Sequence, residues 1–155
     1  MIVFTPNTVI KSADVNLNFA DANAKYTTVF NEKVASSWSN STTTFTDVTG
    51  WTGGGINTTG QNVLLFVEFT YYRTTAGNTS DFRVVVGATS YPSSTGWRQY
   101  TNELSSHKMN SRTLLLTGLK AGGYSVKVQG ANVSGGSVNV DGADWLRITA
   151  MELGG

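Results

Sequence analysis

Alternation of apolar and polar side chains dominates the chain after residue 40. Phe82, Val84 and Val86 share one phase of a period of two, and so do Tyr124, Val126 and Val128. This period places successive side chains on opposite faces of a strand. Such runs recur about every 8–12 residues and are separated by turn clusters rich in Gly, Asn and Ser. This pattern is typical of a β-sandwich or barrel. The predicted strands are 43–48, 62–74, 81–88, 98–104, 112–119, 124–129, 137–140 and 145–153.

The same alternation predicts an antiparallel β-sandwich core. The residues expected to be buried are Phe66, Phe82, Val84, Leu115, Tyr124, Val126, Leu146 and Ile148. All five residues from Val63 to Val67 are apolar, so both faces of this strand are expected to be apolar. A sheet with a second apolar face must cover it, and a neighbouring subunit is the simplest cover.

A different period governs the N-terminal part of the chain. Ser12 is a good N-cap, and the apolar pattern from Ser12 to about Val34 predicts a helix. Its apolar positions follow the 4-3-4-3 spacing of a coiled-coil seam: Val15, Phe19, Ala22, Tyr26 and Val29. This stripe either joins copies of the chain or packs, as in an ordinary amphipathic helix, on its own domain.

A polar connector at residues 35–44 follows the predicted helix. It suggests two regions: residues 1–40, an extended segment and helix that attach and trimerise the protein, and residues 41–155, the β-sandwich head.

Composition and charge narrow the classes of partner. Charged residues make up 14% of the 155 residues and the net charge is +1, whereas phosphate binding needs clustered Lys and Arg. We therefore expect no nucleic-acid partner. The sequence has neither a secretory signal at its start nor an apolar run of about 18 residues, so we expect no membrane insertion. The absence of cysteine excludes disulfides and thiolate metal sites.

Catalytic chemistry has little support in the sequence. His107 is the one histidine, and no Gly-x-Ser-x-Gly elbow accompanies it, so we expect it to be a loop side chain. Asp141 and Asp144 are expected to form a turn before the last strand. The two aspartates could alternatively bind Ca²⁺, but they supply fewer oxygen ligands than the roughly six to eight that this ion takes. We predict a protein that is not an enzyme and needs no metal or cofactor.

Loop aromatics are the best candidates for ligand contact. Exposed aromatic rings stack on sugars and anchor protein interfaces, although each could instead plug an end of the sandwich. The loop 90–98 combines two aromatics with small polar residues and an arginine, a composition typical of loop-based recognition. The candidate ligand-binding residues are Trp51, Tyr91, Trp97, Arg98 and Tyr100.

Two stretches resemble known families. Residues 4–19, which contain Ile-Lys-Ser-Ala-Asp-Val-Asn-Leu-Asn-Phe, resemble the opening of many tailed-bacteriophage fibre and minor virion structural proteins, where this segment starts a helix. Residues 119–129 and 145–153 are similar to the last strands of trimeric jelly rolls, such as tumour-necrosis-factor-like and complement-globular-head-like domains. The resemblance implies a jelly-roll-like sandwich assembled as a homotrimer. The sequence lacks a collagen-like Gly-X-Y stalk, which favours a stubby appendage over a long fibre.

The resemblance also implies a function. The expected protein is a virion component made in the bacterial host cytoplasm, a short trimeric fibre or tail or head appendage that contributes to host attachment. Its partners would be further copies of itself, other virion proteins bound through the N-terminal segment, and a host-surface glycan or protein. The alternatives are a capsid decoration protein without a receptor and a carbohydrate-binding module, which would be a monomer.

Overall fold

A computed structural model describes residues 26–33, 36–49, 51, 54–93 and 95–153 of the chain. These residues form antiparallel strands and include no helix. The strands in chain order are β1 (Tyr26–Lys33), β2 (Trp38–Asn40), β3 (Thr46–Asp47), β4 (Gly54–Thr58), β5 (Val63–Arg73), β6 (Asn78–Val86), β7 (Thr89–Tyr91), β8 (Trp97–Thr101), β9 (Lys108–Leu116), β10 (Gly122–Asn132), β11 (Val138–Val140) and β12 (Trp145–Glu152).

The strands form two six-stranded sheets. In the first sheet, β1 pairs with β12 and β2 with β11; β12 and β11 share one edge of β5, and β9 pairs with the other edge. In the second sheet, β3 and β4 pair with one edge of β10, and β6 pairs with its other edge. The free edge of β6 is shared by β7 and β8. With β1–β2, β3–β4, β7–β8 and β11–β12 each read as one interrupted strand, this is the eight-strand order of a jelly roll.

The core lies between the two sheets. Alternate residues of β5, from Val63 to Tyr71, are buried, and Phe69 lies at the centre of an aromatic cluster. Its ring centroid is 4.7 Å from that of Phe82, 5.7 Å from that of Trp51 and 6.3 Å from that of Trp97. The pairs of Phe69 with Phe82 and with Trp51 are edge-to-face, and such pairs each add about 0.5–1.5 kcal/mol beyond area burial.

One charged side chain also lies in the core. Arg73, at the end of β5, is fully buried and faces no carboxylate among its hydrogen-bond partners. Its guanidinium donates to the carbonyls of Thr79 (2.6 Å), Ser134 (2.7 Å) and Gly135 (2.5 Å). It also donates to the side chains of Ser80 and Asn132. Burial lowers the pKa of this guanidinium. Arg73 thereby fixes the β10–β11 connection against the start of β6.

The predicted all-β sandwich is confirmed, and most predicted strands match observed ones. Phe82, Val84, Val126, Leu146 and Ile148 are buried as predicted. Two burial predictions are wrong: Phe66 is 38% exposed and Leu115 is 53% exposed. Both side chains lie on the outer face of the first sheet, because the core takes the opposite phase of β5 and β9. The predicted core residue Tyr124 is only half-buried.

The predicted helix is wrong for residues 26–33, which form strand β1. Tyr26 and Val29 of the predicted seam therefore lie in a strand, whereas Val15, Phe19 and Ala22 lie outside the described residues. The segment is rich in Tyr, Thr, Val and Phe, which favour strands, and β12 offers it a partner edge. Both β1 and β2 precede residue 41, so the first sheet extends into the predicted N-terminal region 1–40.

No helix in the described part of the chain is long and apolar enough to cross a membrane.

Candidate functional site

An ion pair between Arg98 and Asp81 marks the outer face of the second sheet. The two residues lie opposite each other on β8 and β6, and their chain neighbours Trp97 and Phe82 point into the core. The guanidinium donates from Nε to Oδ1 and from Nη2 to Oδ2, both at 3.0 Å. Asp81 is buried, whereas the Arg98 side chain is 62% exposed. The hydrogen bond with Asp81 raises the pKa of Arg98.

A shallow depression of about 290 Å³ lies at this ion pair, lined by Asp81, Thr95, Gly96 and Arg98. Gly96 shapes its floor, because a Cβ there would come within 2.5 Å of the Phe82 carbonyl oxygen and 2.8 Å of the Phe45 ring, and its φ is +67°. Only glycine adopts this backbone conformation at so close an approach without strain. The depression is therefore built by the loop 90–98 that the sequence singled out.

The structure divides the five predicted ligand-binding residues. Trp51 and Trp97 are 7% and 8% exposed and belong to the core, so they plug the sandwich. Tyr91 is half-buried beside the core. Arg98 and Tyr100 are the two exposed residues of β8 and alternate with buried or half-buried ones, and Tyr100 is 61% exposed. The surface thus offers a guanidinium–carboxylate pair beside an exposed phenol ring, which suits hydrogen bonding and stacking.

Further polar pairs continue this outer face. Asp47 accepts hydrogen bonds from Lys127 (2.7 Å) and Gln129 (2.6 Å), and Arg83 donates to Gln129 and stacks over the ring of Phe45. Burial alone would raise the pKa of Asp47, but the hydrogen bonds from Lys127 and Gln129 bring it below its ordinary value. The second sheet therefore presents a polar face around the depression.

The outer face of the first sheet has a different character. Strand register places Leu115, Leu64 and Met151 in one row across β9, β5 and β12. Phe66 lies in the following row, and Met109, 66% exposed, lies near the far end of β9. Between them, Glu68 and Arg147 form a long ion pair of 3.9 Å. This set of residues is called the apolar outer face below.

A second polar group lies at one end of that sheet. The Nδ1 atom of His107, just before β9, lies 2.7 Å from Oδ1 of the fully buried Asp144. Asp141 and Asp144 form the predicted turn, with the Asp144 amide donating to the Asp141 carbonyl at 2.9 Å. Burial, followed by the charges of Asp141 and Asp144, raises the pKa of Tyr72, whose ring lies 5.0 Å from the imidazole. Among the described residues, His107, Asp141 and Asp144 form a group that could hold a metal ion.

Sequence reasoning treated His107 and the two aspartates separately. His107 and Asp144 are 37 positions apart and belong to different strand connections, so no local spacing signals their contact. The pairing of β9 and β12 with opposite edges of β5 brings the two connections to the same end of the first sheet.

The strand order defines a jelly-roll sandwich. No protein-family model and no curated protein matches the sequence. Among solved structures, Eiger TNF from S. frugiperda is 13% identical (84% of this chain, 94% of that chain, TM-score 0.49). PRD1 vertex protein P5 is 13% identical (84% and 98%, TM-score 0.48). A chain of infectious bursal disease virus, Gx strain, is 6% identical, with TM-score 0.49 over 84% of this chain and 32% of that chain. This chain therefore spans about a third of the length of the viral chain.

Proposed function

We propose that the protein is a bacteriophage virion structural protein, a short trimeric appendage of the tail or head that contributes to attachment to the host surface. The phage-like opening of the sequence and the jelly-roll strand order support this proposal. The observation that carries it is the apolar outer face of the first sheet. Phe66, Leu115 and Met109 are each more than a third exposed there, on a protein with 14% charged residues.

The occupant of the apolar outer face is a second copy of the chain. Large apolar side chains clustered on an exposed surface in this way mark an interaction site. Tyr26 lies in register with the row of Met151, Leu64 and Leu115. Most of the predicted seam lies in residues 1–25, outside the described residues. A seam that continues from the N-terminal segment into the head joins like chains along one axis.

In this arrangement the second sheet is the surface that contacts the host. When copies associate through the first sheet, the second sheet of each copy faces away from the axis. Its polar face carries the depression at Arg98 and Asp81 and the exposed ring of Tyr100. Carboxylate–guanidinium pairs beside an aromatic ring suit a glycan, whose hydroxyl groups and flat apolar faces require both kinds of contact.

Binding of purified protein to host cells tests the attachment role. The wild-type protein should bind, and Arg98→Ala and Tyr100→Ala should each reduce the bound amount severalfold, while Thr89→Ala, at an exposed position on the same sheet, leaves it unchanged. Antibody labelling of virions should place the protein on the particle. Virion labelling without any cell binding would support the capsid decoration alternative. A monomer that binds polysaccharide and is absent from virions would favour a carbohydrate-binding module.

A further inference from the structure

His107, Asp141 and Asp144 bring three metal-ligand groups together at one end of the first sheet. Their candidate ligand atoms all lie within 4.8 Å of one another. His107 comes from the β8–β9 connection, and the aspartates come from the β11–β12 turn. The Nε2 atom of His107 lies 4.0 Å from Oδ2 of Asp141, while Nδ1 contacts Asp144. The two nitrogens of one imidazole therefore lie near two different carboxylates.

Asp144 is arranged to orient the imidazole. Its side chain is fully buried, and its second oxygen, Oδ2, accepts a hydrogen bond of 2.8 Å from the backbone N–H of Asp141. A carboxylate in this position accepts a hydrogen from Nδ1, which leaves the lone pair of the neutral ring on Nε2. This carboxylate–histidine arrangement is the one that holds metal-binding imidazoles in their tautomer and orientation.

We propose that His107 Nε2 and Asp141 Oδ2 bind a divalent transition-metal ion, with Zn²⁺ as the reference ion, and that Asp144 is a positioning residue. Zinc–nitrogen and zinc–carboxylate bonds are each about 2.0–2.2 Å long, and two ligand atoms of a tetrahedral ion lie about 3.4 Å apart. His107 Nε2 and Asp141 Oδ2 lie 4.0 Å apart, so binding requires them to approach each other by about 0.6 Å. Asp141 and His107 are both partly exposed, which leaves the remaining coordination positions to water. Asp141 keeps its other oxygen, Oδ1, on the Ala143 amide at 2.8 Å, so the ligand is fixed by its own turn.

The mixture of donors selects the class of ion. Imidazole nitrogen with carboxylate oxygen suits Zn²⁺ and related ions of the first transition row. Calcium takes about six to eight oxygens, and here one oxygen of each aspartate is already held by a backbone amide. The sequence predicted that no metal is required. The proposed site lies at the surface, outside the hydrophobic core, so the head is expected to fold without the ion.

Titration of the untagged full chain with Zn²⁺ in a calorimeter tests the proposal. We expect one ion per chain. His107→Ala and Asp141→Asn should abolish the binding, since Asn keeps the turn hydrogen bond but removes the anionic ligand. Asp144→Asn should weaken the affinity about 10–100-fold. Glu103→Gln, at an exposed carboxylate in the same connection, is the matched control and should bind like the wild type. Absence of saturable binding by the wild type, or unchanged binding by His107→Ala, overturns the site.

The single histidine gives a second readout that does not depend on how stable the variants are. Because His107 is the one histidine of the chain, the nitrogen shifts of its ring can be assigned without mutation. The expected spectrum with Zn²⁺ shows a metal-bound Nε2 and a protonated Nδ1. A metal-bound Nδ1 would contradict the role of Asp144 as the orienting group, and a ring unchanged by Zn²⁺ would contradict the site.

Discussion

At the scale of single residues, Gly96 determines whether the loop 90–98 can close over Phe82. Gly96→Ala should lower the free energy of unfolding by about 1–3 kcal/mol, because the side chain would combine a strained φ with a clash against backbone. Gly118 separates the two causes, since its φ is +73° but nothing lies within 4 Å of its Cβ position. Urea unfolding should show a smaller loss for Gly118→Ala. If the two variants lost the same free energy of unfolding, the close approach of Gly96 to Phe82 would contribute nothing to stability.

Arg73 makes a second prediction at this scale. Arg73→Met should destabilise the protein by about 3 kcal/mol or more. The buried side chains of Ser80 and Asn132 would lose their guanidinium donor, and three partly buried carbonyls would lose it too. Arg112→Met, at an exposed position of β9, should change the free energy of unfolding by less than about 0.5 kcal/mol. Chemical denaturation of both variants gives the comparison. A loss below 1 kcal/mol or so for Arg73→Met would contradict this account of the β10–β11 connection.

Individual core residues could be predicted wherever the sequence alternates cleanly. Tyr124, Val126 and Val128 alternate with polar residues, and the latter two are buried. The run from Val63 to Val67 has no polar residue to set its phase, so Phe66 was assigned to the wrong face. The His107–Asp144 contact was also out of reach, because it depends on which strands flank β5 and not on any local pattern.

At the scale of elements, Glu152 fastens the end of β12 to the β4–β5 turn. Its Oε1 atom accepts hydrogen bonds from the hydroxyl of Thr58 (2.6 Å) and the amides of Thr59 (2.7 Å) and Gln61 (3.3 Å). The hydrogen bond from Thr58, with smaller contributions from Thr59 and Gln61, lowers the pKa of Glu152. A depressed pKa in the folded state means that this group adds stability above its unfolded pKa and loses it as the pH falls through the folded value.

The pH dependence follows from that sign. Glu152→Gln should have a lower Tm than the wild type at pH 7, and the difference should shrink as the pH falls below about 4.3, the ordinary value for glutamate. Thermal unfolding of both proteins between pH 7 and pH 3 measures this. A difference in Tm that stays constant across the range would show that the charge of Glu152 has no part in the clamp.

Strand β1 shows why element type could be misassigned. Tyr26 and Val29 fit the spacing of a helical seam, yet their neighbours Thr27, Thr28 and Phe30 have strong strand propensity. Pairing with β12 over residues 145–151 decides the outcome, and a sequence pattern does not reveal that a distant edge needs a partner. The short strands β2, β4 and β7 went unpredicted because they have only three, five and three residues, too few to establish an alternating pattern.

At the scale of the whole molecule, the two sheets present opposite surfaces. The second sheet shows ion pairs and a depression, and the first sheet shows Leu115, Phe66 and Met109 around one long ion pair. Burying the first face between copies would remove the exposed apolar rows from water and leave the polar face outside. The sandwich class was predictable from strand number and spacing, and the jelly-roll order was expected from the resemblance of the last strands. The difference between the two outer faces required the register of β5, β9 and β12.

The mass of the untagged chain in solution, measured by light scattering at micromolar concentration, tests the central claim most directly. The account predicts a species of three times 16.6 kDa. It also predicts that Phe66→Asp and Leu115→Asp shift the mass towards that of one chain, since each places a charge in the interface, whereas Thr89→Asp on the second sheet does not. A wild-type protein that elutes as a monomer of 16.6 kDa would contradict the trimer and the function proposed from it.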